Sequence, residues 1–203
     1  MQKIVIEFFS GSKNVSTVFE KNGWHSFTVD INPKLHPSMC ADICTLQPAL
    51  LPQNPSFLWL SPDCTTFSRT GNPKHWQKIT NKYRNYTYIP VTPEATKAIQ
   101  MVNASISIIQ YFAGVPFVLE NPIGRIHHTE AMRSLGHYRY AVNYADFGFP
   151  YSKETYLFSN FWLPFSTKKV SSKAPGLLSV HSRFQRSIVP PILVQKIIDY
   201  SPQ

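Results

Sequence analysis

A thiol and a carboxyl group occupy matching places in the chain. Cys64 closes Ser61-Pro62-Asp63-Cys64 and Glu120 opens Glu120-Asn121-Pro122, each directly after a short apolar run. A thiolate is a strong nucleophile, and a carboxyl group can hold or move a proton on the molecule being attacked. A lone Cys is more often an inert small hydrophobe than a nucleophile, and a lone Glu at such a place is more often a cap. A thiol and a carboxyl on neighbouring strand ends, facing one cleft, are harder to dismiss as a pair. Three more polar groups follow apolar runs in the same manner: Ser10-Gly11-Ser12, Asp30 and Asp42. A Gly at position 11 lets the backbone approach a ligand closely. Asp30 stands where dinucleotide folds grip a ribose hydroxyl pair, although a helix cap before Pro33 explains it equally simply. The sequence has no G-x-G-x-x-G and no P-loop, so a nucleoside without phosphates fits better than a dinucleotide or a triphosphate.

The elements that position these residues follow from pattern and punctuation. Residues 3–9 are an apolar run ended by Ser10-Gly11-Ser12, which reads as a buried parallel strand. Residues 14–22 carry Val15, Val18 and Phe19 at helical spacing, with Gly23 as a stop. Residues 25–29 and 56–60 are further strands. Thr92-Pro93-Glu94 opens a helix with an N-cap, a proline at the first helical position and an acid in the first turn. Ile99, Val102, Ile106, Ile109 and Phe112 give that helix an apolar stripe, and Gly114 ends it. A strand at 115–119, a short helix at 129–135, strands at 138–144 and 155–158, and a terminal helix at 190–200 complete the order. Strands alternating with helices imply an α/β protein with a parallel sheet, and ligands of such sheets bind beyond the carboxyl ends of the strands. No linker divides residues 1–203, so one domain is expected. Residues 61–92 are long, polar and rich in aromatics, and read as a mobile functional loop.

Composition narrows the partners. The net charge of +9 favours a polyanion. Within 61–92, Arg69, Lys74, Lys78, Lys82 and Arg84 alternate with His75, Trp76, Tyr83, Tyr86 and Tyr88. That mixture suits phosphate contact plus base stacking, or else a solvated loop with buried aromatics. Lys168, Lys169, Lys173, Arg183 and Arg186 form a second basic cluster. No apolar run reaches the roughly 18 residues of a membrane span, and residues 1–9 turn polar too soon for a signal peptide. Cys40, Cys44 and Cys64 cannot all pair, and their spacing does not resemble a zinc site. No membrane and no metal is therefore expected, and free thiols point to a reducing cytoplasm.

The ordered series Phe8-Phe9-Ser10-Gly11-Ser12, Val29-Asp30, Ala41-Asp42-Ile43, Ser61-Pro62-Asp63-Cys64, Val118-Leu119-Glu120-Asn121-Pro122 and Asn143-Tyr144-Ala145-Asp146-Phe147-Gly148-Phe149-Pro150 resembles the motif series of DNA cytosine carbon-5 methyltransferases. The Pro-x-Cys turn and the Glu-Asn-Pro signature are its specific parts. The compact form, with Arg186-Ser187-Ile188-Val189-Pro190-Pro191, is similar to phage or prophage members. The resemblance implies a Rossmann-like fold with a mostly parallel sheet flanked by helices, S-adenosylmethionine as cofactor and DNA as partner. It implies that Phe9 stacks on adenine, that Gly11 lies under the methionine part, that Asp30 holds the ribose and that Asp42 holds the adenine amino group. Ser12, Ile31, Ile43 and Pro62 complete that cofactor set. Cys64 would attack carbon 6 of a flipped cytosine while Glu120 holds its ring nitrogen and amino group.

The chain departs from the family pattern in places. Asp63 stands where most members have Pro. A carboxylate roughly 5 Å from a thiol costs its thiolate about 1 kcal/mol in water-like surroundings and more in a dry site, raising the Cys64 pKa by about one to three units. The family's Gln-x-Arg-x-Arg segment reads Tyr151-Ser152-Lys153-Glu154-Thr155, in which only Lys153 keeps a positive charge. Arg125 is a candidate substitute on the cytosine side. Residues 160–189 are too few for a recognition domain of roughly 50 residues or more, so DNA contact falls to Ser68, Arg69, Lys74, Lys78, Arg84, Arg183 and Arg186. Two other readings stay open: a catalytically inactive relative that binds DNA or cofactor, and an RNA cytosine methyltransferase.

Overall fold

The first apolar run forms β1 (Ile4–Phe8), in which Val5, Ile6 and Phe8 are fully buried. The computed structural model that places it describes residues 2–68, 73–80, 82–83, 86–166, 185 and 187–202. Helix α1 (Asn14–Lys21) follows, turning Val15, Val18 and Phe19 inward, and Gly23 adopts φ +79° just beyond its end. Strand β2 (His25–Asp30), the two-residue β3 (Met39–Cys40) and β4 (Phe57–Leu60) come next. Helix α2 (Pro93–Tyr111) starts as its sequence predicts, with the Thr92 hydroxyl accepting from the Ala95 amide at 3.4 Å. Then follow β7 (Phe117–Pro122), α3 (Glu130–Ser134), β8 (Tyr138–Asn143), β9 (Glu154–Ser159) and the terminal α4 (Pro191–Tyr200).

Seven strands make one sheet in the order β3-β2-β1-β4-β7-β9-β8. The five from β3 to β7 are parallel, and β9 is antiparallel to both its neighbours. The sheet is thus mostly parallel, as expected, with one reversed strand. Both faces are covered, which is why β1 and β4 read as continuous apolar runs. One face packs under α2 through Val102, Ile106 and Ile109. The other packs under α1 and α4 through Phe19, Leu193, Val194 and Ile197. The chain leaves β1 toward β2 and β3, then returns to β4 on the opposite side. Such a switch point opens a crevice beyond the carboxyl ends of β1 and β4.

The segment 61–92, read from sequence as a loop, contains more structure than expected. It holds a short 3-10 turn (Pro73–His75) and an antiparallel hairpin of β5 (Trp76–Thr80) and β6 (Tyr86–Pro90). Trp76 is the anchor of that hairpin. Its side chain is only 6% exposed, its indole N–H donates to the Thr66 carbonyl at 2.7 Å, and its ring lies 5.0 Å from Phe67. Trp76 is therefore a core residue and no platform for bases. No helix among the described residues is long and apolar enough to cross a membrane.

This placement gives a stability prediction. Trp76→Ala removes a buried aromatic and strands the Thr66 carbonyl, so denaturant unfolding should show a loss of about 3–5 kcal/mol. Trp76→Phe keeps most of the packing and should recover more than half of that loss.

Candidate active site

The turn after β1 is tightly wound. Phe9, Gly11 and Lys13 all have left-handed backbone, with φ of 57°, 48° and 57°. Non-glycine residues adopt this region at a cost, and clusters of them gather at functional sites. The Asp30 carboxylate fixes the turn: Oδ2 accepts from the Gly11 amide and Oδ1 from the Asn32 amide, both at 2.9 Å. Asp30 thus ties the exit of β1 to the exit of β2, and each oxygen keeps a further lone pair. Asp42 Oδ1 accepts from the Cys44 amide at 2.9 Å. The expected set of Phe9, Gly11, Ser12, Asp30, Ile31, Asp42, Ile43 and Pro62 lines one cleft of about 1700 Å³. Ile31 is 58% exposed at the cleft and Ile43 is buried. Leu35, Lys97 and Met101 also line it, and sequence reading missed them.

Under this turn lies a buried carboxyl group, Glu7 on β1, only 3% exposed and also facing the cleft. Its Oε2 accepts from the Ser16 amide at 2.8 Å and from the Ser16 hydroxyl. Burial pushes the Glu7 carboxyl up to about 7, against the opposing effect of the Ser16 bonds. Nearby, the buried Ser10 hydroxyl finds no hydrogen-bond partner among the described residues.

The same cleft takes in Cys64, Glu120 and Lys153. Cys64 sits in the turn after β4 and Glu120 near the end of β7. The Asn121 side-chain amide joins the two, donating to the Pro62 carbonyl at 3.0 Å. Glu120 is 5% exposed, and its Oε1 accepts from the Tyr144 hydroxyl at 2.7 Å and from Lys153 Nζ at 3.4 Å. Lys153 is itself buried and lies over the Tyr144 ring at 4.5 Å. Burial pushes the Cys64 thiol up to about 11; the Lys153 charge lowers it, and Glu120 then Asp63 raise it. The effect expected of Asp63 is therefore secondary. Its carboxylate is exposed and accepts from the Thr65 amide at 3.0 Å and hydroxyl at 2.6 Å. Burial and the Glu120 carboxylate also push the enclosed Tyr144 phenol upward.

Arg125 is placed differently from its expected role. Its guanidinium donates to the Ser68 carbonyl at 3.0 Å and lies 5.7 Å from the Tyr88 ring, so the cation beside Glu120 is Lys153 and Arg125 pins the loop. Gly124 was not singled out in sequence. A Cβ there would sit 2.0 Å from the Phe67 carbonyl oxygen, and Ser68 pairs with Gly124 in an antiparallel bridge. Of the expected nucleic-acid contacts, Ser68 lines the cleft, while Lys74 and Lys78 are exposed on the turn and hairpin beyond it. Arg69, Arg84, Arg183 and Arg186 lie outside the described residues, as do Lys168, Lys169 and Lys173 of the second basic cluster. No group of His, Cys, Asp and Glu among the described residues is arranged to hold a metal.

Two titrations follow. The folded-state pKa of Glu7 lies above that of the free carboxyl group, so its contribution is fully present only below pH 4.5 and is lost as pH rises from there through about 7. The loss is on the order of 3 kcal/mol. Unfolding measured across that range should show it, and Glu7→Gln should flatten that part of the profile. For Cys64, alkylation by iodoacetamide should quicken about tenfold per pH unit up to its pKa, because the thiolate is the reactive form. Lys153→Gln should slow it further. Peptide-level mass spectrometry separates Cys64 from the exposed Cys40 and Cys44.

No protein-family model and no curated protein matches the chain. Solved structures do resemble it. The Entamoeba histolytica methyltransferase EhMeth superposes with a TM-score of 0.55 at 15% identity, over 84% of this chain and 58% of that one. The S. pombe Dnmt2 methyltransferase gives a TM-score of 0.50 at 18% identity, over 85% of this chain and 57% of that one. The chain thus spans less than three fifths of the length of either. At these identities the likeness concerns the fold, and the architecture is the Rossmann-like, mostly parallel fold seen in those methyltransferases.

Proposed function

We propose that the chain is an S-adenosylmethionine-dependent DNA cytosine carbon-5 methyltransferase with Cys64 as nucleophile. The observation that carries this reading is the joint placement of Cys64 and Glu120 in one cleft, held by the bond from Asn121 to the Pro62 carbonyl. The cofactor half of the cleft fits the reading. Two carboxylates, Asp30 and Asp42, suit ribose hydroxyls and an amino group, Phe9 and Ile31 offer apolar surface, and Gly11 leaves room for close approach. Ser12, Ile43 and Pro62 close the same wall. Bound there, S-adenosylmethionine supplies an electrophilic methyl group.

The chain's own residues then act on the base. Among the described residues, both contacts of Glu120 use Oε1, which leaves Oε2 to accept from the exocyclic amino group of cytosine. Cys64 loses its proton, and the Lys153 charge favours the resulting thiolate. Addition of that sulfur to carbon 6 of the base raises electron density at carbon 5. Carbon 5 would then take the methyl group that the bound cofactor supplies, and loss of that carbon's proton to solvent with departure of the sulfur as thiolate restores the ring. A cytosine reaches such a cleft only by leaving its stack, at a cost of a few kcal/mol.

The Cys64 thiol, pushed up to about 11 in the ligand-free protein, favours a second reading: a chain that binds cofactor and DNA without transfer. DNA carrying 5-fluorocytosine separates the two, because fluorine at carbon 5 cannot leave as a proton does. A covalent adduct should form on Cys64 when S-adenosylmethionine is added, as mass spectrometry would locate. Cys64→Ser should abolish the adduct and methyl transfer, and Glu120→Gln should slow transfer by about 10²–10⁴-fold. Asp30→Ala should lose the calorimetric heat of cofactor binding. No adduct, or an adduct on Cys40 or Cys44, overturns the reading, and transfer to RNA with none to DNA overturns its substrate.

A further inference from the structure

Beyond the cleft, the β5–β6 hairpin packs against the segment that leaves β7, and the junction is aromatic and cationic. The Tyr86 hydroxyl and His128 Nε2 are hydrogen-bonded at 2.9 Å, and their rings lie 4.3 Å apart. The Thr87 hydroxyl donates to the His128 carbonyl at 2.6 Å, and the Arg133 guanidinium donates to the Tyr86 carbonyl. His127 lies beside His128 with ring centres 3.7 Å apart and planes tilted by 41°, and it meets Tyr156 at 5.0 Å. Cations lie over the rings in a row: Lys78 over Tyr86 at 4.0 Å, Arg125 over Tyr88 at 5.7 Å and Arg139 over Tyr156 at 5.1 Å.

The charge of this surface is one-sided. The sequence has no acid between Asp63 and Glu94, and Glu130 is the one acid from Arg125 to Arg139. Lys78, Arg133 and Arg139 are exposed, and among the described residues none of them forms an ion pair with a carboxylate. After burial, these same three cations are what lower the His128 pKa, so they converge on one spot. Like charges held together without a counter-charge repel one another, and an external anion relieves that repulsion. The rings hold the cations in place and are themselves half-buried. The surface is also continuous with the cleft, since Arg125 bonds the carbonyl of Ser68, which lines it.

We propose that this surface, centred on Lys78, Arg133 and Arg139 with Tyr86, His128 and Tyr156, binds the phosphate backbone of the polynucleotide whose base enters the cleft. The proposal rests on the methyltransferase reading for the identity of that polynucleotide. Contacts to backbone hold any sequence, so selection falls to the side chains at the cleft rim.

Fluorescence anisotropy with a labelled cytosine-containing duplex, titrated with salt, tests it on the full chain. Each phosphate contact contributes about 0.9 to the slope of log affinity against log salt. The Lys78→Gln, Arg133→Gln, Arg139→Gln triple variant should flatten the wild-type slope by nearly three units, with cofactor binding unchanged. Arg139→Gln alone should flatten it by about one unit, and decides the matter if the triple variant melts early. An unchanged slope in Arg139→Gln and in the folded triple variant overturns the surface, as does a wild-type chain that binds no oligonucleotide. Methyl transfer with an unchanged slope overturns the surface and spares the enzyme. A flattened slope in a chain that transfers nothing upholds the surface and overturns the enzyme.

Discussion

Much of this molecule hangs on one docking contact, where the exit of β7 meets the turn after β4. The Asn121 side chain is fully buried and gives its amide to the Pro62 carbonyl. Three residues on, Gly124 lies so close to Phe67 that any side chain would collide with backbone. The Arg125 amide donates to the Phe67 carbonyl at 2.8 Å and its guanidinium to the Ser68 carbonyl. A buried hydrogen bond in low dielectric is strong when made and costly when broken. This set of bonds therefore holds the Cys64 turn against the strand that carries Glu120. Because Phe67 and Thr66 of the same turn hold Trp76, through a ring contact at 5.0 Å and a hydrogen bond at 2.7 Å, it also sets where the hairpin lies. The spacing of the thiol and the carboxyl, and the position of the cationic surface, are thus consequences of one contact.

The polar groups within the cleft carry a further constraint. Glu120, Lys153 and Tyr144 are all buried and satisfy one another at a single carboxylate oxygen. Removing two charges from water is costly, and such a pair adds little net stability compared with apolar packing. What it does provide is fixed orientation. Lys153 offsets the negative charge that Glu120 brings near Cys64, so the cation that steadies the carboxylate also eases formation of the thiolate. Loss of Lys153 would leave Glu120 unpaired and Cys64 harder to ionise, two effects with one origin.

The sequence disclosed the sheet well where apolar runs ended in turn residues, as at Ser10-Gly11-Ser12 and Thr92-Pro93. It could not disclose that β9 runs antiparallel, because side-chain alternation is blind to strand direction. Strand β3, two residues long, carries no period at all. The β5–β6 hairpin escaped notice because β5 buries only Trp76 and leaves the rest of its side chains exposed, a pattern that reads as polar loop. Residues following strand ends were legible as a group, and the cleft does gather them. The roles of Gly124 and Arg125 were not, since both depend on a neighbour more than fifty positions away. Asp63 shows the converse error: its proximity in sequence to Cys64 suggested a shift of about one to three units, whereas burial, Lys153 and Glu120 all weigh more on the thiol than the Asp63 carboxylate does.

On the proposed reading, base contacts and backbone contacts divide the labour. Extrusion of a base costs a few kcal/mol, which contacts elsewhere on the polynucleotide must recover. Phosphate contacts are the economical choice, since each needs only one exposed cation and releases bound counterions. They carry no sequence information, so discrimination rests on the cleft itself, where Glu120 Oε2 and Lys153 face the base. A carboxylate oxygen that accepts from the exocyclic amino group rejects bases with a carbonyl at that place, because the buried oxygen would then face another acceptor. Specificity for the base and indifference to its neighbours are therefore two outcomes of one architecture: a buried polar cluster in the cleft that keeps one carboxylate oxygen for the base, and a group of cations beyond it that, among the described residues, pair with no carboxylate.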